Sequence, residues 1–412
     1  MVLIAAGVAA TMSTMLQPRL YASILDLQLA ESRPVVFLCG PRQVGKTSVC
    51  EGRGDLYLDW DYEDHRDVIL GGPGGVARLA GLQSLAGDPP VITFDGLPRY
   101  RGWRTFLADF LDNYGHRARV LVAGAVRPGQ DPEGDERLQG RLAPLRMHPL
   151  SVAELTQPWP PDAPVRPPLP VSDADWRALW EHGGFPEPFT RRSRSFSVRW
   201  RDARRAQLLR EDARDLTRIQ ELDQLEALER LLSGLSGEPL VFSALARAVR
   251  VSENTARSWV ATLETLHHGF LVRPWHQGLP AALRKEPRWY LRDWSGLSDP
   301  GRRFETMCAC HLLKAVEGWT DLGFGTFELR YLRDRQGRGV DFVVVRDGRP
   351  WCLLGIGPTE TAPSPALAYF QKRTGAPHAI QVVADLPFVD TDVFTSREPV
   401  VAPARTLLSQ LL

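Results

Sequence analysis

A glycine-rich stretch that ends in a lysine and a threonine is the part of this sequence with the clearest chemistry. The segment GPRQVGKT has the spacing Gly-x4-Gly-Lys-Thr. Glycines let backbone N–H groups wrap phosphates, a lysine bridges β- and γ-phosphates, a threonine hydroxyl coordinates Mg²⁺, and a following helix adds its positive end. The pattern predicts a nucleotide-binding loop with ATP and Mg²⁺ as ligands. The predicted binding residues are Gly40, Pro41, Arg42, Gln43, Val44, Gly45, Lys46, Thr47 and Ser48.

An aspartate supplies the second expected part of such a site. The run VITFD places Asp95 at the end of an apolar strand, and ligands bind at the carboxyl ends of strands in open α/β sheets. We expect Asp95 to hold Mg²⁺ through water, with Thr47 as the other metal ligand. The alternative is an aspartate that merely ends a strand.

The elements that position these residues follow from the hydropathy pattern. Apolar runs VVFLC, LYLDW, VITFD and VLVAG are separated by helix-length segments, and residues 20–32 read as an amphipathic helix. Buried Val/Ile/Leu-rich strands that alternate with helices indicate a parallel sheet covered by helices on both faces. The prediction is an α/β P-loop domain over residues 20–156, preceded by a tail at 1–19.

The remainder divides by composition. Residues 157–171 are proline-dense and predict a linker or surface loop. Residues 172–235 read as helical, and 236–298 contain a helix-turn-helix pattern followed by a strand that resembles the wing of a winged helix. Residues 299–412 predict a small α/β unit. A DNA-reading helix would use Arg257 with Ser252, Asn254 and Thr255; the alternative is a winged helix that serves only as a packing module.

Composition limits the function classes. The 412 residues include 50 basic and 49 acidic ones, for a net charge of +1, which argues against a dedicated polyanion binder. Five scattered cysteines fit a reducing cytoplasm. The apolar N-terminal stretch is too short to span a bilayer, so we expect a cytoplasmic protein without a membrane segment. The expected partners are the nucleotide, an unnamed protein and, through Arg257 and its neighbours, DNA.

Several motifs, taken in order, make the chain resemble prokaryotic AAA-superfamily ATPases that carry a C-terminal restriction-endonuclease-like domain of unknown function. The resemblance runs from about residue 20 to the C-terminal region. It rests on GPRQVGKT, VITFDGLPRY, VLVAGA, LQGRLAPLRMHPLSVAEL, GGFPEP, SENTARSWVATLE, EPRWYLRDWSGL, GRRFE, GVDFV and LLGIG.

The departures from that family bear on catalysis. Gly96 stands where the family has a glutamate that orients the attacking water, and Ala125 stands where it usually has Ser or Thr. Arg141 matches a family arginine that the resemblance makes a stabiliser of γ-phosphate charge, so Asp95 and Arg141 are the predicted catalytic residues. The alternative for Arg141 is an ordinary surface arginine.

The C-terminal unit shows similar losses. Glu305 and Asp341 match two acidic residues of the nuclease pattern, whereas Gly355 and Gly357 replace its glutamate and lysine. Gly339 also replaces a usual glutamate. Two carboxylates make a poor site for a hard cation, so we expect no nuclease activity.

Three functions follow. The first is an ATP-binding AAA-type protein with weak or regulated hydrolysis that acts as a nucleotide-controlled switch. The alternative is a non-enzymatic DNA-binding or interaction scaffold with a structural P-loop. An ATP-dependent nuclease is the least expected.

Overall fold

The computed structural model describes residues 18–31, 35–83, 88–126, 136–213, 221–275 and 286–412. The predicted N-terminal tail, residues 1–19, lies almost entirely outside these residues. Arg19, the last residue assigned to the tail, is nine-tenths buried and contacts the phosphate loop.

The first sheet contains five parallel strands in the order β2-β3-β4-β1-β5. The strands are β1 (Val35–Cys39), β2 (Leu56–Asp59), β3 (Val91–Asp95), β4 (Arg119–Gly124) and β5 (Leu142–Arg146). Every residue of β1 is buried, as its continuous apolar run requires. Strand β5 was not predicted, because Pro144 and Arg146 interrupt its apolar pattern. It pairs only with β1, and an edge strand tolerates proline.

Helices cover both faces of this sheet, which confirms the parallel α/β part of the predicted fold class. Helices α1 (Leu20–Ala30) and α2 (Lys46–Cys50) lie on one face, and α3 (Glu63–Leu70), α4 (Pro73–Leu79) and α5 (Trp103–Tyr114) lie on the other. Alternate residues of β1 divide accordingly. Val36 and Leu38 pack with α1 and α2, whereas Val35 and Phe37 join the core beneath α5.

A helical region follows. Its helices are α6 (Val152–Thr156), α7 (Asp173–His182), α8 (Pro186–Arg191), α9 (Arg194–Gln207), α10 (Leu222–Gly234), α11 (Phe242–Val249) and α12 (Glu253–Thr265). The proline-dense segment 157–171 is packed rather than loose. The Arg166 amide donates to the Gln410 carbonyl (3.0 Å), and the Leu169 amide donates to the Ser409 hydroxyl (3.2 Å).

The second sheet is mixed and has seven strands in the order β12-β11-β10-β9-β8-β6-β7. They are β6 (Gly269–Pro274), β7 (Arg288–Leu291), β8 (Phe327–Arg333), β9 (Gly339–Arg346), β10 (Arg349–Gly357), β11 (His378–Val383) and β12 (Val400–Pro403). Helices α13 (Pro300–Asp321), α14 (Pro365–Thr374) and α15 (Ala404–Ser409) accompany it. Strand β6 pairs with β8 through Arg273 and Pro274, so the sheet continues across the boundary predicted at residue 298.

Helices α10 to α12 and the β6–β7 hairpin have the order expected of a winged helix, and that identification stays a prediction, as does the endonuclease-like fold of the last part. One apolar cluster extends from α1 through α7 and α13 to Leu412, so the two sheets share a core. Among the described helices, none combines the length and the apolar character needed to cross a membrane.

Candidate nucleotide-binding site

The predicted phosphate loop leaves β1 at Cys39 and enters α2 at Lys46. A Cβ atom at Gly40 would lie 2.3 Å from the Met147 carbonyl oxygen, so a side chain does not fit there. Gly45 has φ +102°, which L side chains rarely adopt. The backbone therefore requires glycine at both positions that the motif specifies.

The amides of this loop are available to an anion. Within the described part of the chain, the backbone N–H groups of residues 43–48 donate to no protein acceptor. Helix α2 has only five residues, little more than one turn. The open loop amides, more than the long helix dipole that the motif suggested, supply the positive potential.

The Lys46 ammonium lies at the mouth of the loop. Its Nζ donates to the carbonyl oxygens of Gly40 (2.9 Å) and Pro41 (2.8 Å). Burial lowers the pKa of Lys46 to about 8, although the Asp95 carboxylate opposes this shift. The loop thus holds a partly desolvated cation, which phosphate oxygens would stabilise.

Asp95 ends β3 at the same edge of the sheet and is 7% exposed. One of its carboxylate oxygens accepts a hydrogen bond from the Tyr57 hydroxyl (2.8 Å). Strand β4 lies between β1 and β3, so the Gly124–Ala125 turn separates Lys46 from Asp95. Sequence reasoning missed Tyr57, because nothing in a tyrosine of β2 signals that the hydroxyl reaches a carboxylate on β3.

The side chains of Thr47 and Ser48, the other residues predicted beside the phosphates, are exposed on the first turn of α2. A threonine hydroxyl in this position is free to reach a cation that the phosphates carry. The structure thus gathers Lys46, Thr47 and Asp95 at one edge of the sheet, and their roles toward nucleotide and Mg²⁺ stay predictions.

Gly96 has no side chain to orient water, and its backbone conformation also favours glycine. It adopts φ +71°, and an added Cβ would lie 3.3 Å from the Cβ atom of Trp60. A glutamate in this left-handed conformation would cost about 1–2 kcal/mol. The backbone conformation of the turn after β3 therefore favours glycine at position 96 and disfavours the glutamate that the family has there.

Arg141 requires a correction, because the structure does not bring it to this edge. It precedes β5, whose Leu142 pairs with Val35 at the start of β1. The five residues of β1 put roughly 15 Å between this edge and the phosphate loop. The Arg141 guanidinium instead donates to Asp112 (2.5 Å) on α5. The motif match identified Arg141, but it did not show that the residue precedes β5, at the edge of the sheet opposite the phosphate loop.

Arg19 contacts the phosphate loop although no motif in the sequence marks it. Its guanidinium donates to the Val44 carbonyl in the phosphate loop and to the His148 carbonyl (2.6 Å). It also forms a buried ion pair with Glu154 (2.7 Å). Glu154 in turn pairs with Lys314 of α13. The loop is thereby tied to a helix of the second sheet.

A second contact reaches the site edge from the turn after α12. His267 Nε2 lies 2.7 Å from the carbonyl oxygen of Ala125. The adjacent His268 faces another partner, Glu229 (3.1 Å). The two histidines therefore contact different parts of the chain.

The two acidic residues of the nuclease-like pattern do meet. Glu305 of α13 and Asp341 of β9 both face Arg288, whose Nη1 lies 3.4 Å from Glu305 Oε1 and 3.6 Å from Asp341 Oδ1. The Tyr290 hydroxyl donates to Glu305 (2.6 Å), and the Ile356 amide donates to Asp341 (2.9 Å). An arginine therefore occupies the space between the two carboxylates.

The two glycines of LLGIG border other polar side chains. A Cβ at Gly355 would lie 2.7 Å from Gln381 Oε1, and one at Gly357 would overlap the Glu360 carboxylate. Gln381 and Glu360 therefore occupy space that side chains at 355 and 357 would need. In the described ranges, no three His, Cys, Asp or Glu side chains cluster as a metal site would require.

The helix-turn-helix residues are engaged locally. The Ser252 hydroxyl caps α12 by accepting from the Thr255 amide (3.0 Å). Arg257 pairs with Glu253 (2.6 Å) one turn earlier and lies over the Phe242 ring. DNA contact through Arg257 and Asn254 stays a prediction.

Two known protein families match parts of this chain. Residues 32–156 match the family described as an AAA domain. This part of the chain is AAA-like. Residues 173–298 match a domain of unknown function, DUF8612, which spans most of the helical region and the β6–β7 hairpin.

The chain is also similar to two uncharacterized proteins, one from Mycobacterium tuberculosis and one from Mycobacterium bovis. Each is 29% identical over 291 residues, or 69% of this chain and 60% of the relative. The chain thus spans about 60% of the length of the curated relatives it matches.

Two solved structures overlap with it. A Walker-type ATPase of Pyrococcus abyssi has a TM-score of 0.41 at 13% identity and covers 68% of this chain and 97% of its own. A signal transduction ATPase with numerous domains and a tetratricopeptide repeat sensor, from Pyrococcus horikoshii, has a TM-score of 0.21 at 11% identity. It covers 72% of this chain and 47% of its own. Overlaps this weak add nothing to the assignment, which rests on the AAA match and the loop.

Proposed function

We propose that this chain binds ATP with Mg²⁺ at the loop of residues 40–48, hydrolyses it slowly, and acts as a nucleotide-controlled switch. The observation that carries the proposal is the Lys46 ammonium at the mouth of a loop with open amides, at the same sheet edge as Asp95. The AAA match over residues 32–156 supports it.

Each residue has a defined role in binding. Lys46 exchanges its bonds to the Gly40 and Pro41 carbonyls for phosphate oxygens. Bound Mg²⁺ would neutralise phosphate charge, with the Thr47 hydroxyl as a ligand and Asp95 acting through water. Tyr57 fixes the Asp95 carboxylate by donating to one oxygen and leaves the other for that water.

Slow hydrolysis follows from what surrounds the γ-phosphate position. Gly96 and Ala125 have no polar side chain to orient an attacking water, and the side chain of Arg141 is held at the opposite edge. Water orientation and charge stabilisation contribute most of the acceleration in phosphoryl transfer. The chain therefore keeps the binding residues and lacks those expected to speed the reaction.

The switch role rests on two contacts between the site and the rest of the chain. Arg19 joins the Val44 carbonyl to Glu154 of α6, which is paired with Lys314 of α13. His267 joins the Ala125 carbonyl to the turn before β6. A loop that rearranges around phosphates would alter both contacts, and a nucleotide shifts an equilibrium through such differential contacts.

Two measurements on the full chain test the proposal. Steady-state hydrolysis of MgATP should stay below about 1 per second, and Asp95→Asn should abolish what remains, whereas Asp26→Asn on the exposed side of α1 should leave it unchanged. Turnover at or above that rate would show that another group orients the water.

Hydrogen exchange with and without MgATP tests the switch. Protection should change at Lys314 and its neighbours on α13 and at the turn around His267, and Lys46→Ala should remove the change. Nucleotide binding that leaves exchange altered only in residues 40–50 would refute the switch and keep the binding site.

A further inference from the structure

A cavity of about 320 Å³, separate from the phosphate loop, lies in the region that matches the domain of unknown function. Helices α9 and α10, the turn at His268 and the segment after β7 line it. Its apolar floor is formed by Leu208, Leu291 and Leu297. A pocket of this size with a few convergent polar groups is typical of small-molecule sites.

One face of α9 lines the cavity with arginines. Arg201, Arg204 and Arg205 recur at the i, i+3 and i+4 spacing that places side chains on one side of a helix. Arg204 is fixed over the ring of Phe185, with 4.1 Å between guanidinium and ring centroid. Arg230 of α10 also lines the cavity, where its guanidinium lies 3.9 Å from the Glu226 carboxylate.

The deepest acidic group of the cavity is already neutralised. Glu229, 2% exposed, pairs with Arg205, accepts from the Ser233 hydroxyl (2.8 Å) and lies 3.1 Å from His268. Burial raises the pKa of Glu229, but His268, Ser233 and Arg205 outweigh it and lower it to about 2. This carboxylate is therefore paired with the Arg205 guanidinium and leaves no unpaired negative charge at the inner end of the cavity.

The outer wall keeps an uncompensated cation. Within the described residues, the Arg201 guanidinium donates to the Ser295 hydroxyl (3.0 Å) and forms no ion pair with a carboxylate. Burial lowers the pKa of Arg303, the nearby Arg201 and Arg194 lower it further, and Glu181 and Asp293 partly oppose them. Four arginines and three carboxylates line the cavity, and Arg230 is also paired with Glu226, so the unpaired positive charge among these described residues is that of Arg201 rather than an excess of arginines.

We infer that this cavity binds a small phosphate-bearing anion. A guanidinium is planar, and its parallel N–H groups hold two oxygens of a phosphate with paired, charge-assisted hydrogen bonds. The volume of about 320 Å³ suits a small ligand better than an extended nucleic-acid backbone. Gly296, at the mouth, leaves open the space next to Arg201, since a Cβ there would lie 3.5 Å from Arg201 Nε.

The test is calorimetric titration of pyrophosphate into the full-length Lys46→Ala chain, in which the phosphate loop is disabled. Saturable binding at one site is expected. Arg201→Ala should weaken it at least about 10-fold, and Gly296→Val, which fills the mouth without altering charge, should do the same. Arg199→Ala, on the exposed side of α9, carries the same charge change and should alter affinity less than about 2-fold.

Three outcomes would overturn the inference. The first is no saturable pyrophosphate binding at low salt. The second is equal weakening by Arg199→Ala and Arg201→Ala, which would show a diffuse charge effect rather than a site. The third is Arg201-dependent binding of a DNA duplex or of succinate without binding of pyrophosphate. Thermal unfolding of each variant confirms that a loss of binding does not reflect a loss of fold.

Discussion

The buried charges that link the phosphate loop to α13 make a quantitative prediction. Side chains of Glu154 and Lys314 are 0% and 1% exposed, and that of Arg19 is 8% exposed. Glu154→Gln would leave two buried cations without their anion, and breaking a buried ion pair in this way costs about 3–5 kcal/mol. Lys314→Met would leave the Arg19–Glu154 pair intact and should cost about 1–2 kcal/mol, mainly through lost hydrogen bonds.

The pH dependence follows from the same group. Burial raises the pKa of Glu154, but Arg19 and Lys314 outweigh it and lower it from 4.5 to about 2. Because the folded state holds this carboxylate ionised, its contribution to stability is present above pH 4.5 and is lost as the pH falls toward 2. Glu154→Gln should flatten this acid-dependent loss.

The assay is urea unfolding of the full chain, followed by tryptophan fluorescence and circular dichroism at pH 7 and at steps down to pH 3. The shared core makes it reasonable to expect both sheets to respond. Glu238→Gln, in an exposed pair with Arg302, is the matched control and should cost less than about 1 kcal/mol. If Lys314→Met destabilises as much as Glu154→Gln, the glutamate is not the centre of the network and the reasoning fails.

Three further predictions concern single sites. Burial lowers the pKa of Lys46 to about 8, and a bound phosphate should raise it. MgATP affinity should therefore fall as the pH rises above 8, and binding at pH 8.5 should take up protons. Calorimetric binding heats that are the same in buffers of different ionisation enthalpy would contradict this. Gly96→Ala should destabilise by about 1–2 kcal/mol through its positive φ, and an unchanged urea midpoint would refute the strain. Arg288→Met should cost about 2 kcal/mol at pH 8 and less at pH 6. Burial and Asp341 already raise the pKa of Glu305 to about 7, so protonation relieves the repulsion between the carboxylates; equal losses at both pH values would count against that pairing.

Much of the first sheet was predictable from sequence because its strands are continuous apolar runs. The phosphate loop was predictable because its chemistry imposes residue types at fixed spacing, and the structure shows the steric reason at Gly40 and Gly45. Strand β5 was not, since edge position rather than hydropathy lets Pro144 stay in a strand.

The rest of the site depends on contacts between distant parts of the chain. Arg19 and Glu154 are 135 residues apart, and the tyrosine hydroxyl that orients Asp95 comes from 38 residues away. Neither has a local motif. The misplacement of Arg141 has the same origin, because a matched motif does not specify which edge of the sheet a residue occupies. The continuity of the second sheet could not be predicted from the sequence, because only two residues of β6 pair with β8. Strand β7 and helix α13 lie between β6 and β8 along the chain.

The central claim is that the loop around Lys46 binds nucleotide, and direct titration tests it. MgATP should bind the full chain at one saturable site, measured by calorimetry at pH 7. Lys46→Ala should weaken binding by about 1.5–3 kcal/mol, or roughly 10- to 150-fold, while Lys372→Ala, on an exposed face of α14, should leave it unchanged. Equal affinity of the wild-type chain and Lys46→Ala, or no binding to either, would contradict the account.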